Sequence, residues 1–297
     1  MFLQYLNDFI HQLRFEKRCS PHTITAYSQD LEQFSQYLQE TYPALPFEQA
    51  THTHIRSWLA GLKNEKKLQE RSLNRKISSL NAYYLFLLRQ GLTNKNPVKQ
   101  LHSLRVPERL PTFLRTQETS QLLEEVSFGE DLKGFTDRII LELLYLSGMR
   151  RAELRELKES DIEWSLQQVR VWGKGNKERL IPLSDACLDT LRAYIQAKEQ
   201  AGIPGGTWLL ALPSGKKLYD NYIYRTVKHY LSQVSTLKKK SPHILRHTFA
   251  THLLNNGANI QAIKELLGHS SIAATQIYTH INIEELKKVH KLNHPRG

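Results

Sequence analysis

A chain of 297 residues has room for about two domains, and with 40% apolar residues it can bury a core, which excludes wholesale disorder. Its 41 Lys and Arg against 29 Asp and Glu leave a net +12, a balance that suits a polyanionic partner, nucleic acid first. Two distant cysteines, Cys19 and Cys187, exclude a disulfide framework or a cysteine zinc site and fit a reducing cytoplasm, and the start lacks a signal peptide's basic and apolar regions.

The first part reads as four helices. Phe2, Leu6, Phe9, Ile10 and Leu13 recur at helical spacing. Ser20 then stands as an N-cap before Pro21, and Ile24, Tyr27, Leu31, Phe34 and Leu38 continue the stripe. A third helix carries Ile55, Trp58, Leu59 and Leu62. A fourth carries Leu73, Ile77, Leu80, Tyr84 and Leu87 and stops near Gly91, and Asn96-Pro97 closes the block. This fourth helix also holds Arg71, Arg75 and Lys76. The 71-to-75 spacing stacks two arginines on one face, which suits either phosphates along a DNA groove or an ordinary solvated surface.

Leu104 to Pro111 has two prolines, two arginines and no periodicity, and reads as a linker between a domain at 1–103 and one at 112–297. Residues 1–110 hold 15 basic and 9 acidic side chains and the remainder 26 and 20, so each part is +6 and both are expected to touch the partner. In the second part, helices at about 117–126 and 136–146 come first. The apolar run Ile139–Leu146 is short and contains Glu142, so no membrane span is expected. Gln168–Trp172 and Glu178–Pro182 alternate around a glycine-bearing turn and form a hairpin. Helices at about 185–200 and 220–234 follow, then three more near the C-terminus. The fold class is mainly α with a small β-hairpin, α+β.

Several settings carry chemistry. Gly148 should end an apolar helix, and the next begins around Arg150, where a guanidinium faces the space an anion would occupy. Glu153, three residues on, can fix that guanidinium. Arg151 is a rival that periodicity does not separate from Arg150, and a structural surface pair is the plainer alternative. Lys174 stands at the hairpin tip, where a flexible lysine reaches a DNA groove and serves as a general acid; Lys177 shares the turn. In Ser241-Pro242-His243-Ile244-Leu245-Arg246, a serine cap and a first-turn proline put His243 and Arg246 on one face of a helix start. A zinc reading of His243 and His247 lacks HExxH, so no metal is expected. His269 follows Gly268 in an elbow between two helices. Tyr278 ends the second of these, between polar Gln276 and Thr279. Two guanidiniums, a lysine, two histidines and a tyrosine describe one reaction at a phosphodiester.

At these residues the chain resembles the tyrosine recombinases of the phage integrase family, and among them the Xer type. The segments SGMRRAEL, VWGKGNKERLIPL, SPHILRHTFATHLL and LGHSSIAATQIYTHI are similar to that family's catalytic boxes, in order. Ser20 to Phe34 and Ser72 to Val98 resemble its helical, SAM-like core-binding domain. The resemblance places Arg150, Lys174, His243, Arg246 and His269 on activating positions and Tyr278 on the nucleophile. The glycine-methionine register selects Arg150 over Arg151. One departure is Arg151-Ala152, where the Xer pattern has a small apolar residue and then serine. No arm-binding domain is expected ahead of residue 1, and the 174–243 interval has no room for the integron integrases' insertion.

The implied fold is an all-helical core-binding domain followed by a tyrosine-recombinase catalytic domain. The implied reaction needs no metal and no nucleotide: Tyr278 forms a 3′-phosphotyrosyl bond, and strand exchange passes through a Holliday junction. The implied partners are double-stranded DNA with inverted-repeat half-sites and a homo- or hetero-tetramer, with a second recombinase and a septal DNA translocase as family expectations. Chromosome-dimer resolution at a dif-like site is the expected task. Alternatives are a mobile-element integrase or excisionase, a type IB topoisomerase-like enzyme, and a DNA-binding protein without catalysis. Asn282 and Glu285 suggest a capped last helix, with Ile283, Leu286 and Val289 as an apolar stripe; the family's tail docks on a neighbouring subunit, and the alternative is packing within its own domain.

Overall fold

The computed structural model describes residues 2–105, 112–173, 178–203, 205–206, 208–268 and 292–295. The chain divides into two compact units, Met1–Arg109 and Leu110–Gly297.

The first unit is helical: α1 (Phe2–Phe15), α2 (Pro21–Thr41), α3 (His52–Asn64) and α4 (Glu70–Arg89). Ser20 caps α2 by accepting from the Thr23 amide at 3.2 Å, with Pro21 at the first helical position. The apolar stripes meet in one core that includes Leu31, Phe34, Ile55, Leu73, Leu80 and Leu87. Edge-on aromatic contacts tie it: Phe34 to Phe47 and Phe47 to Tyr83, each with ring centroids 5.2 Å apart. Tyr84 donates its hydroxyl to the Phe47 carbonyl at 2.7 Å, so its buried polar end is satisfied.

Within this unit the structure corrects one expectation. Lys76 is only 3% exposed. Its ammonium donates to Asp30 Oδ1 at 2.7 Å and Gln33 Oε1 at 2.6 Å and lies 5.3 Å from the centre of the Trp58 ring. The reason is helical geometry: positions 73, 76, 77 and 80 form the buried stripe of α4, so Lys76 points into the core and Asp30 must be there to neutralise it. Lys76 therefore has its ammonium engaged inside the unit and does not present it to a phosphate. Arg75 also bonds Asp30, and the Ala26 carbonyl at 3.1 Å, yet remains exposed at the surface, as does Arg71. At the start of the expected linker, Asn74 and the Leu104 backbone exchange two hydrogen bonds of 2.8 Å, which fasten Leu104 to α4.

The second unit contains α5 (Thr116–Ser120), α6 (Leu132–Ser147), α7 (Arg151–Glu156), β1 (Ile162–Glu163), β2 (Gln168–Trp172), β3 (Glu178–Pro182), α8 (Asp185–Gln200), α9 (Asp220–Val234), α10 (Pro242–Asn255) and α11 (Ile260–Leu267). From Ile139 to Ser147 every residue of α6 is buried, as expected of a helix apolar all round, and it packs against α8, α9 and α10. It begins at Leu132, earlier than its apolar run, because Asp131 caps it by accepting from the Gly134 amide at 2.8 Å. The expected helix at 117–126 differs too. After Ser120 the chain widens into a π turn, closed by the Val126 amide on the Gln121 carbonyl, and both Leu122 and Leu123 enter the core.

The hairpin pairs antiparallel in the register Val169 with Ile181, Val171 with Arg179 and Trp172 with Glu178. Val169, Val171 and Ile181 face the core. β1 adds a short third strand to β2, making the described sheet β1-β2-β3. Two residues are too few for alternation to reveal. No helix among the described residues is long and apolar enough to cross a membrane.

Candidate active site

The site begins where α6 stops. Gly148 has φ 59°, the left-handed region that ends helices. A Cβ there would lie 2.4 Å from Phe249 Cδ1 and 2.9 Å from Leu267 Cδ2. Glycine thus serves twice: it turns the chain, and it lets the end of α6 close onto α10 and α11. The Gly148 carbonyl then accepts from Arg246 Nη1 at 2.6 Å.

The other edge is the C-terminus of α11, which ends at Gly268 with φ 63°. The last carbonyls of a helix have no partner within it and carry its negative end. Here three consecutive carbonyls are each capped by a different arginine. Leu266 O accepts from Arg179 Nε at 2.8 Å, Leu267 O from Arg246 Nη2 at 2.7 Å, and Gly268 O from Arg150 Nη2 at 3.2 Å.

Arg150 stands one residue before α7, with extended backbone at φ −77° and ψ 150°. Glu153 grips it from within the helix: the Arg150 amide donates to Oε2 at 2.7 Å and Nη1 to Oε1 at 2.8 Å. Arg151 turns elsewhere and donates to Asp220 Oδ2 at 3.1 Å, beside Arg155 on Oδ1 at 3.0 Å. Of the two rivals, Arg150 is the one that joins Arg246 at the end of α11.

Electrostatics fit this crowding. Arg246 is 8% exposed, and burial, followed by the positive charges of Arg150 and Arg179, pushes its pKa down to about 10; Glu153 opposes them. It remains charged at neutral pH. Burial alone would raise the Glu153 carboxyl, but hydrogen bonds and charge from Arg179, with further hydrogen bonds from Arg150, hold it below its ordinary value. His243 sits in the first turn of α10. Partial desolvation, then the charges of Arg246, Arg151, Lys239 and Arg150, keep its imidazole below the ordinary value. A neutral histidine beside two guanidiniums is able to accept a proton. Ser241 occupies the N-cap position of α10 and Pro242 follows it, but among the described residues the serine side chain makes no capping bond.

Lys174, Lys177, His269 and Tyr278 lie outside the described residues. The expected helices beyond Gly268, including the capped one near Asn282, lie there too. Of the expected catalytic set, the structure brings together Arg150, His243 and Arg246. It adds Arg179, which the sequence reading did not single out. A signal existed: Arg179 and Ile181 share a face of β3, so an arginine sits on the inward register of a strand.

Comparisons with known proteins give the chain a family and a fold. Residues 112–285 match the phage integrase family, and residues 6–91 match the phage integrase N-terminal SAM-like domain. Tyrosine recombinase XerC of Chlorobaculum parvum is 33% identical, over 98% of this chain and 94% of that protein. Tyrosine recombinase XerC of Listeria welshimeri is 36% identical, over 97% of each. The fold is similar to that of XerH site-specific recombinase bound to palindromic difH substrate, with a TM-score of 0.71, 20% identity, and coverage of 93% of this chain and 81% of that one. It is also similar to a lambda integrase (75-356) dimer bound to a COC′ core site, with a TM-score of 0.68, 21% identity, and coverage of 94% and 98%. The chain belongs to the phage integrase family. Within that family it is a tyrosine recombinase of the Xer type, an enzyme of site-specific DNA recombination.

Proposed function

We propose that Tyr278 is the nucleophile and that Arg150, Lys174, His243, Arg246 and His269 activate the scissile phosphate. The observation that carries this reading is the pair of guanidiniums, Arg150 and Arg246, fastened to the adjacent carbonyls of Gly268 and Leu267 where the chain passes into His269. Tyr278 Oη attacks phosphorus, a new P–O bond forms and the bond to the 5′ oxygen breaks. His243 takes the phenol proton, and Lys174 gives a proton to the departing 5′ oxygen. Arg150 and Arg246 meet the charge that builds on the non-bridging oxygens, with His269 adding a hydrogen bond. The 3′-phosphotyrosyl bond keeps the energy of the linkage, so a 5′ hydroxyl from a partner strand reverses the attack. Repeated exchange passes through a Holliday junction.

The substrate in this reading is double-stranded DNA with inverted-repeat half-sites, gripped by residues 1–103 and 112–297 on either side of a linker at 104–111 and assembled as a tetramer. Arg71, Arg75 and Lys177 are its proposed backbone contacts. Support comes from the even +6 on each part and from solved relatives described as recombinase–DNA complexes, one a lambda integrase tetramer bound to a Holliday junction. The cellular task we assign is resolution of chromosome dimers at a dif-like site in the cytoplasm, with a second recombinase and a septal DNA translocase as partners.

The test is covalent trapping on sheared, nicked genomic DNA of the host, comparing wild type with Tyr278→Phe, followed by denaturation and sequencing of protein-linked fragments. Adducts from wild type alone, clustered at one inverted-repeat site, are expected. Scattered adducts would replace this reading with a topoisomerase-like one, and tight binding without adducts would remove catalysis from it.

A further inference from the structure

We infer that Arg179 is a positioning residue for the phosphate clamp: it locks Glu153, and through Glu153 the guanidinium of Arg150, against the end of α11. The inference rests on the reading of Arg150 as a clamp and adds to it a residue that makes no contact with substrate.

The guanidinium of Arg179 is filled by the protein. Nε donates to Leu266 O at 2.8 Å, Nη1 to Glu153 Oε1 at 3.1 Å and Nη2 to Glu153 Oε2 at 2.7 Å. Its side chain is 11% exposed, against 36% for Arg150. A guanidinium held at all three nitrogens has no edge left for a phosphate; Arg150 and Arg246 are each held at their two terminal nitrogens alone. The two-point fork on Glu153 fixes the plane of the carboxylate, and the same two oxygens receive the amide and Nη1 of Arg150. One carboxylate therefore transmits the position of β3 to Arg150.

Arg179 also joins three elements that are far apart in sequence: β3, α7 and the end of α11. It contacts α11 tightly, since a Cβ at Gly268 would lie 3.1 Å from its Nη1. A charge effect alone does not account for it. Arg179 repels Arg246, and together with Arg150 it lowers that residue's affinity for its proton. A cation kept at such a place acts through geometry, which a lysine does not reproduce.

The test is single-turnover cleavage of a nicked duplex bearing the trapped site, with the scissile linkage either an ordinary phosphate or a neutral methylphosphonate. A linkage without the phosphate's charge builds one negative charge fewer in the transition state and depends less on an aligned clamp. Arg179→Gln is expected to bind the duplex within a few-fold of wild type, to cut the phosphate about 10²-fold more slowly, the usual loss from misplacing a reacting group by about 1 Å, and to recover most of that loss on the methylphosphonate. Arg179→Lys should behave alike, because it keeps the charge and loses the fork. Arg150→Ala is the control. If it cuts the ordinary phosphate at the wild-type rate, the clamp reading itself fails. If it is slowed and then relieved by the neutral linkage, while the Arg179 variants are unslowed or equally slow on both linkages, the clamp stands and the role of Arg179 is overturned. Loss of folding in both Arg179 variants, seen by circular dichroism, would assign Arg179 to structure alone and also overturn the inference.

Discussion

Among the described residues of the site Arg246 is the most enclosed cation, and what holds it is backbone. Its two terminal nitrogens hold Gly148 O and Leu267 O, carbonyls at the ends of two different helices. Arg246→Lys keeps the charge but cannot bridge both. We expect a cleavage rate at least about 10²-fold lower, as for loss of one preorganised donor to a developing anion. One buried carbonyl left unpaired should also cost about 1–3 kcal/mol of stability, and denaturant melts would show it. A loss of activity with no loss of stability would mean the lysine reaches both carbonyls.

His243 allows a statement about pH. Its pKa lies below the ordinary 6.5, so the imidazole is still mostly neutral at pH 6.5. The acidic decline in cleavage should therefore be centred below pH 6.5; in His243→Gln this acidic limb should vanish along with most of the rate. The sign for stability follows from linkage. His252 is also lowered, by burial, while its bond to Leu114 O opposes the shift, and its other nitrogen meets the Tyr145 hydroxyl at 3.0 Å. The unfolded chain, with ordinary imidazoles, takes up protons first. Stability from these two residues is complete above about pH 6.5 and is lost as the pH falls below it. Melts at pH 7.5 and 5.5 that give equal stability, once the carboxylates are accounted for, would contradict this.

Among elements, the junction of α6, α10 and α11 is the one the site depends on, and Gly148 is its hinge point. Gly148→Ala meets both a left-handed backbone and atoms 2.4 Å away on Phe249. Backbone strain and overpacking together should cost about 2–5 kcal/mol, and because the shifted carbonyl is the one Arg246 holds, the cleavage rate should fall even in molecules that remain folded. Measuring the rate well below the melting temperature separates the two effects. This junction also marks how far sequence reading reached. Gly148 and Gly268 were legible as helix stops, and Ser20-Pro21 as a start, because each obeys a rule confined to a few neighbours. The hairpin followed from alternation. What escaped depends on partners distant in the chain. Lys76 looked like surface until Asp30, on another helix, was found opposite it, and Arg179 looked like a strand residue until Glu153 and Leu266 met it. Periodicity did not separate Arg150 from Arg151; the resemblance's register did, and Asp220 and the end of α11 supply the physical reason. Local periodicity contains none of these pairings.

For the whole molecule, the question is whether both units hold DNA. Each has its own buried core, so a fragment of residues 112–297 should fold by itself. The charge is divided evenly, at +6 on residues 1–110 and +6 on the rest, but net charge is a poor guide to phosphate contact where cations are consumed internally. In the first unit Lys76 is consumed in this way and Arg75 in part; in the second, Arg151 and Arg155 both answer Asp220. Counterion release offers a direct count. The slope of log affinity against log salt is about −0.9 per phosphate neutralised on duplex DNA. If both units track the backbone, removing residues 1–111 should make the slope shallower by several contacts, and Arg71→Ala in the full chain should make it shallower by about one. Lys76→Met gives the contrast: it should leave the slope unchanged but lower stability, because it strands Asp30 in the core without its buried partner. A fragment that keeps the full slope would assign the DNA contact to the second unit alone, and the positive charge of the first would then serve something other than the duplex.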